Sequence, residues 1–169
     1  MTDQRSHPNS RSSTVTSRTL PRAVRNSMSN LLETAINDAR NLNPTTYRPN
    51  STSWHSADGD DHCHVCLSGS VIAGTLQATP DLTLNPYSFT GETTRKLDAL
   101  NFMRCGDWIM AFKRFYKHWP STFTHQRLLQ LPKPSNTDFT GWHAFRAHLN
   151  SLESILPELR QIEETRPLF

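Results

Sequence analysis

From Val24 to Leu42 apolar side chains return every three or four positions, at Val24, Met28, Leu31, Leu32, Ala35, Ile36, Ala39 and Leu42. That spacing lays one continuous stripe along a helix, because 3.6 residues make a turn. The predicted helix opens at Pro21 and stops at Asn43-Pro44, since a proline disfavours helical backbone in the residue before it. A stripe of this length must be buried against other elements. The rest of the chain is therefore read for what could cover it.

A second stripe runs near the C-terminus through Trp142, Phe145, Leu149, Leu152, Ile155, Leu156, Leu159 and Ile162. Pro157 lies inside it and is expected to kink or restart the helix. Between the two stripes, Asp60 or Asp61 is placed to cap a helix running to Thr79. Small residues (Cys66, Ser68, Gly69, Ser70, Ala73, Gly74, Ala78) crowd that segment, which suits a central helix approached closely by its neighbours. Thr93 or Thr94 is placed to cap a helix with Leu97, Leu100 and Met103. Cys105-Gly106-Asp107 reads as a left-handed stop followed by a new cap. A helix with Trp108, Ile109, Phe112, Phe115 and Tyr116 follows, then a proline-rich connector over 119–138. The expectation is an all-α fold: a compact bundle of about five helices with long loops, a single domain over 21–169, preceded by a disordered arm.

The arm, residues 1–20, follows from composition. All four Trp and all eight Phe fall after residue 50, and nine Ser or Thr precede Leu20. Such a stretch cannot bury enough surface to offset its ordering entropy. The first 25 residues carry Arg5, Arg11, Arg18, Arg22 and Arg25 against Asp3, about +4, which leaves the remainder close to −1. The arm reads as a solubilising tail, as a nucleic-acid-binding arm using Arg5, Arg11 and Arg18, or as a transit peptide lacking an amphipathic face. No apolar run approaches the roughly 20 residues that cross a bilayer. Three cysteines form no disulfide framework. The default compartment is the cytoplasm.

Two segments are candidates for chemistry. Around Cys63-His-Val-Cys66 lie His55, His62, His64, Asp58, Asp60 and Asp61. A C-x-x-C pair can grip one face of a tetrahedral zinc ion, with His55 and His64 as further ligands and Cys105 as a distant option. Only one half-site is visible, so a buried core Cys66 stands beside the zinc reading, and a redox thiol is a third. In Phe112-Lys-Arg-Phe-Tyr-Lys-His-Trp119 cations interleave with aromatics, a pattern that can pair phosphates and stack bases through Lys113, Arg114 and Lys117. Helical spacing sends the aromatics to one side and the cations to the other, which is also how a core helix with a solvated face reads. Nucleophile elbow, zinc-protease and phosphate-loop motifs are absent, which points away from an enzyme.

The run Trp54-His55 … Cys63-His-Val-Cys66-Leu-Ser-Gly-Ser-Val-Ile-Ala-Gly-Thr-Leu76 resembles a pattern in small bacteriophage and prophage proteins. In these a helix, a tryptophan loop and a Cys-bearing small-residue helix follow one another. Leu97-Asp-Ala-Leu100, Arg104 and Gly106 resemble a later part of the pattern, and Ser68 stands where Ala is commoner. The resemblance spans about residues 24–117 and implies a phage accessory protein in the host cytoplasm, but assigns no site. The leading expectation is thus a non-enzymatic interaction protein that binds a host or phage macromolecule, a protein before a nucleic acid, and could inhibit a host or defence factor. The alternative is a nucleic-acid-binding module, with zinc as a structural staple.

Overall fold

The computed structural model describes residues 19–59 and 62–169. The expected arm, with Arg5, Arg11 and Arg18, lies outside the described residues, except that Leu20 is buried in the core. Seven α-helices and three short strands follow in the order α1 (Arg22–Asn26), α2 (Met28–Arg40), β1 (Tyr47–Pro49), β2 (His55–Ala57), β3 (Cys63–Val65), α3 (Leu67–Ala73), α4 (Gly91–Arg104), α5 (Trp108–Tyr116), α6 (Thr122–Leu129) and α7 (Trp142–Glu163). A 3-10 turn, Pro86–Ser88, precedes α4.

The all-α expectation is overturned by the sheet. Its strand order is β1-β3-β2, with β3 parallel to β1 and antiparallel to β2. The segment expected to start a helix at Asp60 or Asp61 instead supplies the central strand, and those two residues lie outside the described ones. Cys66, in extended backbone, then caps α3. Gly74 ends α3, well before the expected Thr79.

The first apolar stripe is divided. Ser27 adopts extended backbone between α1 and α2, and its hydroxyl accepts the Asn30 N–H at 3.1 Å. The stripe survives the break, because Val24, Met28, Leu31, Leu32, Ala35, Ile36 and Ala39 are all buried. α4 starts after Thr90 rather than at Thr93 or Thr94. Gly106 has φ +77° and the Asp107 carboxylate accepts the Met110 N–H, the stop and cap expected there. The proline-rich connector contains α6, whose Leu128 is buried. α7 runs unbroken through Pro157.

α3 is the centre of the molecule, with Leu67, Ser68, Gly69, Ser70, Val71 and Ile72 all buried. A Cβ built on Gly69 would come within 1.6 Å of the Trp54 carbonyl oxygen, so only glycine admits the loop there. The hydroxyls of this helix are satisfied: Ser68 donates to the Leu97 carbonyl at 2.7 Å and Ser70 to the Cys66 carbonyl at 3.1 Å. Leu42, Tyr47, Cys63 and Val65 form a small separate cluster under the sheet, and Trp142 packs against both it and the main core.

Candidate anion-binding cleft

The zinc candidates are dispersed by the strand. Successive side chains of a strand point to opposite faces, so Cys63 and Val65 turn inward and His64 turns outward. Cys63 Sγ lies 3.5 and 3.6 Å from the two ring nitrogens of His55, both side chains fully enclosed. His64 pairs instead with Asp58 at 2.8 Å. Cys66 is in the main core, away from the Cys63 cluster. His62 Nε2 is 3.1 Å from an Arg48 nitrogen; arginine only donates, so this ring nitrogen accepts. Among the described residues no three of His, Cys, Asp or Glu gather where an ion would fit.

Burial also decides the protonation of the pair. It pushes the Cys63 thiol up to about 11 and raises that of Cys66. It lowers the His55 imidazole, whose Nδ1 lies 2.6 Å from the Leu82 carbonyl. A carbonyl only accepts, so Nδ1 carries the proton and donates. A thiol that stays protonated beside a neutral imidazole is a packed polar contact and not an activated nucleophile.

The cations of α5 behave differently. Lys113, Arg114 and Lys117 converge with Arg95 of α4 around a cleft of about 320 Å³, with Met110 on its wall. The turn at Gly106 folds α5 back onto α4, and cross-helix contacts then fix the cations. The Arg95 guanidinium donates to the Arg114 and Phe115 carbonyls, capping the end of α5. Arg114 Nε lies 3.1 Å from an Asp98 carboxylate oxygen, and its guanidinium approaches the Phe102 ring at 6.0 Å. Four cations thus face the cleft beside one carboxylate.

Lys117 closes α5 in left-handed backbone, φ 61°, with its N–H on the Lys113 carbonyl. That reversal corrects the expectation that every aromatic of the segment faces the core. Phe112 and Phe115 are buried, but Trp119, beyond the reversal, is 55% exposed. Its ring lies 4.0 Å from the Lys113 ammonium, so an exposed indole borders the cationic cleft. Sequence reading found Lys113, Arg114 and Lys117 and missed Arg95 and the outward Trp119. Arg95 comes from another helix, and only the α4–α5 packing brings it there.

No family model, no curated protein and no solved structure matches the chain. No described helix is long and apolar enough to cross a membrane.

Proposed function

We propose that the chain is a binding protein for single-stranded nucleic acid, and that the α4–α5 cleft is its contact surface. The observation that carries this reading is the convergence of Arg95, Lys113, Arg114 and Lys117 from two helices beside the exposed Trp119. Cations spaced along a groove track a phosphate backbone, and an indole at its border stacks an unpaired base without regard to sequence. A neutral protein partner would desolvate Lys113 and Lys117, which pair with no carboxylate among the described residues, without compensating them. Arg5, Arg11 and Arg18 add positive charge to the same chain. An accessory role, which the bacteriophage resemblance implies, is compatible with such binding.

The test is fluorescence anisotropy of a labelled oligothymidylate with the full chain across a potassium chloride series. Each phosphate contact on a single strand contributes a slope of roughly −0.7 to log K against log salt, so four contacts give about −2.8. Lys113→Gln with Lys117→Gln should flatten that slope by about 1.4. Trp119→Ala should weaken binding about 10-fold or more at unchanged slope, a stacked base being worth about 1–3 kcal/mol. Absence of binding at low salt, or equal binding by the double variant, would overturn the proposal.

A further inference from the structure

We infer a second ligand site, independent of the basic cleft: the hollow between the end of α2 and the first turns of α7 takes a flat aromatic ring bearing an anionic group, as a nucleoside monophosphate does. This hollow has a volume of about 370 Å³, within the range of small-molecule sites. Leu42, Pro44 and Leu149 give it apolar walls. Trp142 is held in place there, its indole N–H donating to the Tyr47 carbonyl at 3.2 Å and its ring packed 5.9 Å from that of Phe145.

Two arginines border the hollow and they are not equivalent. Arg40 is compensated: it makes a two-pronged pair with Glu153 at 2.7 and 2.9 Å and a further bond to Asn150 at 3.0 Å. Arg146 has no carboxylate partner among the described residues. Its guanidinium carbon lies 5.4 Å from the Trp142 ring centroid, which orients the planar donor set beside the indole. No side chain caps the N-terminus of α7 and no acid stands in its first turn, so the positive end of a 22-residue helix lies uncompensated near Trp142.

These features select a ligand. A bare hydrated anion gains nothing from apolar walls, and an uncharged ring leaves Arg146 unpaired. A ring against Trp142 with its phosphate on Arg146 satisfies both.

Calorimetric titration with adenosine monophosphate, adenosine and inorganic phosphate tests this. The monophosphate should bind at least 10-fold more tightly than either part. Arg146→Gln, at an exposed position, should lower affinity for the monophosphate at least 10-fold and leave adenosine unchanged. Trp142→Phe, with folding checked by circular dichroism, should weaken both several-fold. The Lys113→Gln, Lys117→Gln variant should bind the monophosphate as the wild type does. No binding at millimolar ligand, an unaffected Arg146→Gln, or loss of binding in the double-lysine variant would each overturn the inference, the last by placing the nucleotide in the basic cleft.

Discussion

Two histidines are fully enclosed, and each is tied by Nδ1 to a backbone carbonyl: His55 to Leu82 at 2.6 Å and His148 to Ser135 at 2.7 Å. Burial lowers both below the ordinary imidazole value of 6.5. The folded protein therefore holds these protons less tightly than the unfolded chain. Stability is full above about 6.5 and falls as the pH drops toward the folded values, by about 1.4 kcal/mol per pH unit for each imidazole. Urea melts at pH 7.5 and 5.5 should show this loss, and His148→Gln should roughly halve its slope. A midpoint that does not move would contradict it. The thiols divide in the same way. Cys105 is exposed, whereas Cys63 and Cys66 are buried and pushed up. One thiol per chain should react with a disulfide reagent under native conditions and three in denaturant. The sequence made C-x-x-C conspicuous, but a spacing that suits zinc also suits a strand residue followed three positions later by the residue at a helix N-cap. Only the alternation of Cys63 and His64 across β3 separates these cases.

Where elements begin and end, local signals were legible and non-local ones were not. Gly106-Asp107 announces its turn because the left-handed glycine and the capping carboxylate act within three residues. The strands announce nothing. Each has three residues, too few for alternation to register, and β3 is held by partners from both sides, at Tyr47–Pro49 and His55–Ala57. Their extended state is imposed by pairing and not by propensity. α6 was hidden by the prolines flanking it, although the Ser121 hydroxyl accepts the Thr124 N–H at 3.2 Å as an ordinary cap does. The small-residue character of α3 was legible, and its reason is steric. Gly69→Ala would drive a methyl into the Trp54 carbonyl, displacing the loop between β1 and β2 from the core. Overpacking of this kind costs about 1–3 kcal/mol or more, so the chemical-denaturation midpoint of Gly69→Ala should fall clearly. Gly91→Ala, with open space at its Cβ, should leave the midpoint within experimental scatter.

At the scale of the whole molecule, the second helix and the last are joined by a carboxylate. The divided stripe leaves the N-terminus of α2 buried, with Met28 and Ser29 almost fully enclosed. Ser27 satisfies one N–H there. Glu163, in the last turn of α7, accepts two more, from Met28 at 2.9 Å and Ser29 at 2.8 Å. The Tyr116 hydroxyl donates to the same carboxylate, which with burial holds the phenol far above its ordinary range. One acid thus ties α2, α5 and α7 together across 135 residues of chain. It also favours the positive end of the α2 dipole. No local pattern could have marked it, because Glu163 and Glu164 are equivalent as sequence. Glu163→Ala would strand two buried N–H groups and a phenol. Each unsatisfied group costs about 1–3 kcal/mol, so a loss of about 3 kcal/mol and a Tm lower by on the order of 10 °C are expected. Glu163→Gln keeps one acceptor oxygen and should lose about half as much. Glu164→Ala, on an exposed side chain one residue away, should lose almost nothing. Thermal melts of the three variants decide the matter. Equal losses at 163 and 164 would mean that the C-terminal turn is only a helix end, and that the buried start of α2 is satisfied in some other way.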